Sequence, residues 1–333
     1  MHAGLVIGLK CWARALGGLT MASMLAGASG AALAQSYPTR PIRLIIPYPP
    51  GGAGDIVGRL LANKLGENLG QPIIIDNRGG GAQVIATELA AKAAPDGYTL
   101  FLASATHAIN PGGKKKLPYD TVKDFAPITM VANSPLLFVA NPSVGISNMK
   151  ELVALAKAQP GKLNYGSSGP GTGGHLSVEL LQVMTGISMT HIPFKGAGPA
   201  LTDLIGGQVQ IVSTSPLAAL PFVKAGKLKA LGMTGRSRFP TAPDIPTVAE
   251  SGFPGYEASL WYGLLAPAGT PAAIISRLHA DTVKAIKSSL VSEQLLTNGA
   301  EPSGTSPQEL QSFIVADIKR WTDVIKSSGI QIE

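Results

Sequence analysis

Short apolar, strand-like segments that alternate with segments of helical spacing constrain the fold of this chain most. The run IRLIIPY at residues 42–48 precedes a helical pattern at 56–69, and this order recurs along the chain. The other strand-like runs, with a following helical pattern where there is one, are PIIIDN with 84–91, YTLFLAS, PLLFVAN with 148–158, LNYGSS with 175–184, 190–193 with 199–205, VQIVST, LKALGM and LWYGLLAP. Such alternation predicts α/β layers built on mostly parallel sheets.

Three glycine-rich loops stand directly before predicted helices, at residues 51–55, 167–174 and 195–199. Glycine lets a ligand approach the backbone, and a helix N-terminus offers N–H groups that have no intrahelical acceptor. The positive end of the helix dipole adds to the attraction of an anion. Any one loop is equally well explained as an ordinary strand-to-helix turn, but three together favour an anion-binding site.

The loops do not match the known phosphate-binding sequences. The string G-x-x-x-x-G-K-[ST] does not occur, and Gly52, Gly54 and Gly58 miss the dinucleotide fingerprint by one residue. Basic residues are scattered, except at 114–116, which we interpret as a solvated loop because glycine and proline surround it. We therefore expect neither nucleotides nor nucleic acid as partners.

The first 34 residues have the pattern of a secretory signal peptide. Lys10 and Arg14 precede an apolar run at 15–28, and 32–34 supplies the A-x-A pattern of a cleavage site. We expect cleavage after Ala34 and export as a soluble protein, since no later run is long enough to span a bilayer. Cys11, the single cysteine, would leave with this segment, so disulfides and thiolate chemistry are excluded.

About 300 residues then remain, with a small positive excess of charge, and this length supports two domains. The continuous apolar segments 135–143 and 260–267 are candidates for hinge strands between them. The boundaries that follow are 35–139 plus 261–333 for domain 1 and 140–260 for domain 2. The C-terminal part is predicted to be helical, with one helix opening at 270–271 and another at a capping box, 306–309.

The polar residues do not form a recognisable catalytic set or metal site. Near Ser168 the pattern G-x-S-x-G is absent, and no histidine lies in H-E-x-x-H. Asp55, at a helix start, is interpreted as a cap rather than a base. We expect His175 to donate to an anion or to cap its own loop, because His175 with Glu179 is only a lone helical pair. An exported hydrolase that uses Ser168 with His175 is the alternative.

Several longer strings resemble one family, the Bug-type solute receptors of tripartite tricarboxylate transporters, across essentially the whole mature chain. They are YPTRPIRLIIPYPPGGAGD, DNRGGGAQVIATELAAKAAPDGYTLFLAS, LPYDTVKDFAPIT, KLNYGSSGPGTGGHL, PFKGAGPALTDLIGGQV, PDIPTVAESGFPGYEASLWYGLLAPAGTP and NGAEPSGTSPQEL. The resemblance implies a periplasmic-binding-protein fold of type II, in which two α/β domains joined by two hinge strands close on a ligand.

The resemblance also implies a non-enzymatic, periplasmic receptor for a small organic carboxylate, without cofactor or metal and expected to be a monomer. Backbone amides and ordered water would hold the ligand, and the large and small membrane subunits of the transporter would receive it. A sensor protein as partner is the alternative. The implied ligand-binding residues are Tyr48, Gly52, Ala53, Asp55, Ser104, Thr106, Ser168, Gly171, Thr172, His175, Lys195, Gly196, Ala197 and Thr214.

The sequence departs from the family pattern after GGQV, where the family commonly has a phenylalanine–aspartate pair and this chain has Ser213 and Thr214. Without that carboxylate, an ammonium group loses a partner, so we expect an aliphatic or aromatic mono- or dicarboxylate without an amino group. Tyr48, Phe194 and Trp261 are interpreted either as ring surfaces for the ligand or as core.

Overall fold

A computed structural model of the chain describes residues 37–48, 50–51, 53–80, 83–113 and 116–330. The predicted signal peptide with its cleavage site, Gly52, and the first two lysines of 114–116 lie outside the described residues. Contacts along the chain define two units, Met1–Arg40 and Pro41–Glu333. Residues 37–40 of the first unit have no regular secondary structure, and all of the described strands and helices belong to the second.

The first sheet takes its six strands from two separate stretches of sequence. They are β1 (Ile42–Ile46), β2 (Ile73–Asn77), β3 (Thr99–Ser104), β4 (Phe125–Pro135), β10 (Ser259–Pro267) and β11 (Glu301–Pro302), in the order β11-β4-β10-β3-β1-β2. Strand β1 pairs in parallel with β2 and β3, whereas β10 runs antiparallel to β3 and β4. Ile45 and Ile46, which point to opposite faces, are both fully buried, so both faces of the sheet are covered.

Helices supply that cover. One face carries α1 (Ala53–Leu69), α8 (Ala272–Ile286) and α9 (Ser289–Thr297); the other carries α2 (Val84–Ala91), α3 (Ala105–Gly113) and α10 (Pro307–Ser328). Opposite faces for α1 and α2 follow from right-handed crossovers, because the chain moves from β1 outward to β2 and then back across β1 to β3. The apolar residues of α1 at four-residue steps are buried, as their spacing predicts.

Helix α10 begins at the predicted capping box. The Ser306 hydroxyl accepts the Glu309 N–H at 3.2 Å, and the Glu309 carboxylate accepts the Ser306 N–H at 2.7 Å. Apolar residues at three- and four-residue steps form a mostly buried stripe on this helix, with Leu310, Ile314 and Trp321 almost completely covered. The helix packs on α3 and β4 and also on a helix of the second sheet.

The second sheet has five strands, β5 (Leu137–Ala140), β6 (Asn164–Ser167), β7 (Thr190–Pro193), β8 (Ile211–Thr214) and β9 (Lys229–Met233), in the order β7-β6-β8-β5-β9. Strand β6 is parallel to β7 and β8, and β5 is antiparallel to β8 and β9. Its helices are α4 (Met149–Ala158), α5 (Gly173–Thr185), α6 (Ala197–Ile205) and α7 (Pro216–Lys224). Helix α5 packs against β8 and α10.

The chain passes between the two sheets twice, first through a very short connection and then through a long one. Strand β4 ends at Pro135 and β5 begins at Leu137, so Leu136 alone joins them. The chain returns through residues 234–258 to β10. The first sheet thus draws on residues 42–135 and 259–302 and the second on 137–233, whereas the domain boundaries at 139 and 261 stay a prediction.

The structure confirms the strand–helix alternation, but the prediction of mostly parallel sheets is wrong. Both sheets are mixed, because β10 in the first and β5 in the second run antiparallel to both of their neighbours, and β11 runs antiparallel to β4. The structure also adds elements that the sequence did not predict. The added helices are α3, α7 and α9, and the added strand segments are β11 and most of β4. In the part of the chain that is described, no helix combines the length and apolar character needed to cross a bilayer.

Candidate ligand-binding site

The predicted site residues that the structure describes lie at one edge of each sheet. The carboxyl ends of parallel strands meet at the same edge, and in open α/β sheets ligands bind just beyond it. In the first sheet, β1, β2 and β3 lead there to the loop before α1, to residues 78–83 and to α3. In the second sheet, β6, β7 and β8 lead to the glycine loop before α5, to 194–196 and to α7.

The buried side chain of Asp55 holds the first glycine loop through hydrogen bonds. This side chain is 3% exposed. One oxygen accepts the Gly51 N–H at 2.8 Å and the Arg59 guanidinium at 2.9 Å, and the other accepts the Asn77 amide at 2.9 Å. Burial alone would raise the pKa of Asp55, but these hydrogen bonds outweigh it and hold the pKa below its ordinary value. The contacts agree with the interpretation of Asp55 as a cap rather than a base.

Tyr48 and Ser104 come together as the sequence predicts, and Gln83 joins them. The Ser104 hydroxyl donates to the Gln83 side-chain carbonyl at 2.8 Å. Burial raises the pKa of Tyr48, while hydrogen bonds with Ser104 and Gln83 offset part of the rise. The Tyr48 ring packs over Gly54, where an added Cβ would lie 2.2 Å from a ring carbon. Its edge meets the ring of Tyr262 at a centroid distance of 6.3 Å.

Gln83 is not among the site residues predicted from the sequence. This residue precedes α2 in the left-handed conformation, at φ 68°, which is uncommon for a residue other than glycine. It is 8% exposed, and its main-chain N–H donates to Gly80 O at 2.9 Å. A polar residue that follows a glycine run and precedes a helix is a sequence signal for this position, but only the tertiary structure reveals its contact with Ser104.

Ala53 and Thr106 occupy the first turns of α1 and α3, where the leading amides have no intrahelical acceptor. Ala53 is exposed and lines a cavity of about 60 Å³. Tyr262 lines the same cavity, as do Ser215 and Leu217 at the start of α7. This cavity therefore brings the N-terminus of α1, from the first sheet, next to that of α7, from the second.

The second glycine loop is held by internal hydrogen bonds. The Gly171 N–H donates to Nδ1 of His175 at 3.0 Å, and the Thr172 hydroxyl donates to Gly169 O at 2.8 Å. His175 is 4% exposed, whereas Ser168 is exposed. Of the two roles expected for His175, donation to an anion or capping of its own loop, this geometry supplies the second.

A buried polar cluster lies beneath this loop. The rings of His175 and His191 stack with their centroids 3.9 Å apart, and Tyr165 stacks on His191 at 4.9 Å. The Tyr165 hydroxyl donates to Glu179 at 2.5 Å. Burial, reinforced by the neighbouring His191, lowers the pKa of His175 to about 4, and burial also lowers the pKa of His191. Burial raises the pKa of Glu179.

The cluster does not have the geometry of a metal or catalytic site. His175 Nε2 and the Glu179 carboxylate are 3.7 Å apart, and within the described residues no group of three or more His, Cys, Asp or Glu side chains could hold a metal. His191 Nε2 lies 2.6 Å from the hydroxyl of Ser167, not of Ser168. The pairing of Ser168 with His175 that a hydrolase would need is therefore replaced by contacts that stabilise the loop.

The third glycine loop adjoins the second. The Phe194 N–H donates to Ser167 O at 3.0 Å, which brings the ends of β6 and β7 together. Beyond it Lys195 is exposed, Gly196 has φ 131°, and Ala197 begins α6. Only glycine adopts this φ without strain, which explains the glycine at 196.

The remaining predicted residues divide between site edge and core. Thr214 is the last residue of β8 and is 5% exposed, while the Ser213 hydroxyl accepts from Ser177 at 2.7 Å beneath the sheet. Trp261 is fully buried, and its indole N–H donates to Asp317 at 2.9 Å. Of its two interpretations, Trp261 is therefore core rather than a ligand surface.

The sequence of this chain matches a known family over most of its length. A family model described as "Tripartite tricarboxylate transporter family receptor" matches residues 57–330. The chain belongs to this receptor family. It is 37% identical to Protein BugT of Bordetella pertussis (strain Tohama I) over 310 residues, which cover 92% of this chain and 95% of BugT.

Solved structures of similar sequence share the fold. One is R. palustris Rpa4515 with adipate, which has 38% identity and a TM-score of 0.75, with 89% of this chain and 99% of that chain covered. Another is MatC (Rpa3494) from Rhodopseudomonas palustris with bound malate, with 33% identity, a TM-score of 0.72, and coverage of 87% and 100%.

These matches confirm the predicted family and the α/β fold of the periplasmic-binding-protein type II class. Members of this tripartite tricarboxylate transporter family are solute-binding receptors, so the protein is a receptor rather than an enzyme, and the hydrolase alternative is wrong.

Proposed function

We propose that this receptor binds a small organic mono- or dicarboxylate, aliphatic or aromatic, that carries no amino group. The observation that carries the proposal is the placement of helix N-termini at the carboxyl edge of each sheet: α1 and α3 begin at that edge of the first sheet, and α5 and α6 at that of the second. Each charge-assisted hydrogen bond from such amides contributes about 1.5–3 kcal/mol. The relatives bound to adipate and to malate, both dicarboxylates, support this ligand class.

The absence of a free carboxylate among the predicted site residues supports a ligand without an ammonium group. Asp55 is the one acid in that set, and Gly51, Arg59 and Asn77 occupy its oxygens. Lys195 is exposed at the third loop and favours negative charge. An amino group would therefore lose its hydration without gaining a partner.

We further propose that the two sheets form the cores of two lobes, with boundaries near residues 139 and 261, that close on the ligand. Neither edge alone supplies amides from both sides, so only the closed state would surround the anion. Leu136, the single residue between β4 and β5, is a short connection suited to a hinge. Small-angle scattering should show compaction when adipate is added to a receptor that binds it.

Delivery of the ligand to the large and small membrane subunits of a tripartite tricarboxylate transporter completes the proposal, and family membership supports it. The receptor would act in the periplasm as a monomer after cleavage near Ala34. Crosslinking to the membrane subunits in the presence and absence of ligand would test this step.

Calorimetry on the purified receptor tests the ligand class. Adipate, malate and benzoate are compared with 2-aminoadipate, which adds only an amino group to adipate. We expect binding of at least one deaminated acid, and a ligand at 100 times its dissociation constant should stabilise the fold by about 2.7 kcal/mol. Tight binding of 2-aminoadipate without any binding of adipate would overturn the amino-group argument.

A pair of lysine variants locates the binding. Lys195→Ala should weaken binding of the acid that binds, whereas Lys227→Ala, exposed on the same lobe after α7, should not. Equal effects of the two substitutions would mean that Lys195 acts only through the general charge of the surface.

A further inference from the structure

The stacked histidines form hydrogen bonds with the second glycine loop at two points. His175 accepts the Gly171 N–H through Nδ1, and His191 Nε2 lies 2.6 Å from the Ser167 hydroxyl. Ser167 in turn binds both main-chain groups of Gly169, accepting its N–H at 3.1 Å and donating to its carbonyl at 3.1 Å. Main-chain groups on both sides of residue 170 are therefore fixed by the imidazole pair.

One distribution of protons satisfies these contacts. Because His175 Nδ1 accepts a hydrogen bond, its single proton must lie on Nε2, which faces Glu179. When the proton of His191 lies on Nε2, it donates to Ser167, which leaves the Ser167 proton for Gly169 O. Both rings are then neutral and stack without repulsion.

The surroundings favour this neutral pair. The titratable groups that contact it are Tyr165 from β6 and Glu179 from α5. On the side of α5 near residues 253–258, Tyr256 donates to the Ser177 carbonyl at 2.7 Å.

The charged groups of α10, which also packs against α5, have partners of their own. Asp317 accepts from Trp261, and Arg320 lies 3.4 Å from Glu257 and 3.5 Å from Asp317. The pKa of His175 is lowered by burial and by its neighbour His191, in the direction that keeps the ring neutral.

We propose that His175 and His191 are positioning residues of the ligand site, which hold the loop 167–172 so that the first amides of α5 face the anion. The proposal rests on the proposed function, since it assigns these amides to the ligand. The Gly169 and Gly171 N–H groups are used internally, whereas those of Gly173 and Gly174 open the helix and have no intrahelical acceptor. His175 therefore acts through the loop and does not itself touch the ligand.

Two substitutions at residue 175 separate the acceptor from the ring. His175→Phe keeps a ring for stacking but removes the acceptor, while His175→Asn keeps an acceptor oxygen near the position of Nδ1 but removes the ring. His279→Phe is the matched control, since His279 lies in α8 and contacts Thr305 instead. Circular dichroism identifies the variants that are folded.

Hydrogen exchange at the Gly171 amide measures how firmly the loop is held in the absence of any ligand. We expect His175→Phe to speed exchange at this amide about tenfold, as the loss of one hydrogen bond predicts, and His175→Asn to leave it near the parent rate. Nitrogen NMR of the parent should show a neutral His175 ring protonated at Nε2. Unchanged exchange in His175→Phe, or a proton on Nδ1, would overturn the proposal even if the receptor binds carboxylates.

Adipate affinity provides the second measurement. We expect a loss of about tenfold in His175→Phe, recovery in His175→Asn, and no change in His279→Phe. An equal loss in both variants at residue 175 would mean that the ring itself, not its acceptor, is required, and would overturn the role assigned here. Expected exchange results together with no binding of any carboxylate by the parent would instead overturn the proposed function.

Discussion

Replacement of Gly174 by alanine tests how closely the N-terminus of α5 packs against the second sheet. A Cβ at Gly174 would lie 2.4 Å from the carbonyl oxygen of Ser213, a distance that real Cβ atoms essentially never show. Ser213 belongs to β8, which is held between β6 and β5 and therefore cannot retreat. The N-terminus of α5 must move instead, by about 1 Å to reach ordinary contact.

The expected cost follows from this overlap. Inserting a methyl group into a packed interior costs about 1–3 kcal/mol. Because the neighbour is main chain rather than a flexible side chain, we expect Gly174→Ala to lose about 2–3 kcal/mol of unfolding free energy. The same shift would move the amides of Gly173 and residue 174 away from the anion and weaken adipate binding about tenfold.

Urea unfolding followed by circular dichroism measures the stability, and calorimetry measures the affinity. Gly198→Ala is the matched control, because Gly198 lies in the first turn of α6 and an added Cβ would meet nothing within 4 Å. This control should be unchanged or up to about 1 kcal/mol more stable. A Gly174→Ala receptor within about 0.5 kcal/mol of the parent, at an unchanged m value, would refute the reasoning.

Three further substitutions or conditions test other parts of the molecule. Gly54→Ala should rotate the ring of Tyr48 away, since the new Cβ would lie 2.2 Å from a ring carbon. We expect weaker adipate binding in calorimetry and a loss of about 1 kcal/mol of unfolding free energy. Unchanged affinity would argue against a role for Tyr48 in binding. Trp261→Phe removes the donor 2.9 Å from the Asp317 carboxylate. We expect a loss of about 1–3 kcal/mol in urea unfolding, and a loss below about 0.5 kcal/mol would contradict the contact. Burial lowers the pKa of His107 to about 4. Below about pH 6.5 this imidazole is protonated in the unfolded chain but not in the folded chain. Its contribution to the unfolding free energy, up to about 3 kcal/mol, is therefore present above pH 6.5 and should be lost as the pH falls to 4. Urea midpoints at pH 7.5, 5.5 and 4.5 measure the slope, and a smaller slope in His107→Phe would assign it, whereas an equal slope would not.

Local sequence patterns predicted the elements whose packing is regular. The helix at 84–91 and the strand at 190–193 are found with the predicted bounds. Helix α1 begins at Ala53 rather than at residue 56, since its first turn carries no apolar residue to reveal it. Such differences lie at the ends of elements, where the periodic signal fades.

Helix α3 could not be predicted from its sequence. Its residues include Pro111, Gly112 and Gly113, all of which disfavour a helix in isolation. Packing on α10 stabilises it: an added Cβ at Gly112 would lie 2.8 Å from the Thr322 Cα, so this glycine is what allows the two helices to approach closely. Tertiary contact here overrides local preference, and a single sequence carries no signal of it.

For the candidate site, the sequence predicts the positions of residues but not their roles, and this is the same division between local pattern and tertiary contact. Asp55 and His175 lie in the predicted loops, but Asn77 and His191, which help to define their roles, are distant in sequence. The spacing of residues within a loop predicts where main-chain donors will be. It does not predict which donors are used internally, because that depends on side chains brought in by neighbouring strands.

This division explains how one architecture can serve different acids. At the second loop, buried His175 fixes the Gly171 amide, and at the first loop buried Asp55 fixes that of Gly51. Under the proposed function, a carboxylate bound by amides arranged in this way would be recognised by its charge and geometry, and the rest of the ligand would only have to fit the space between the proposed lobes. Relatives that are 38% and 33% identical to this chain accordingly hold adipate in one case and malate in the other. Removing the hydrogen-bonding group of a buried loop anchor, as in His175→Phe, should therefore weaken binding of every acid alike, by about tenfold, whereas exchanging exposed residues of the loops should change which acid is preferred.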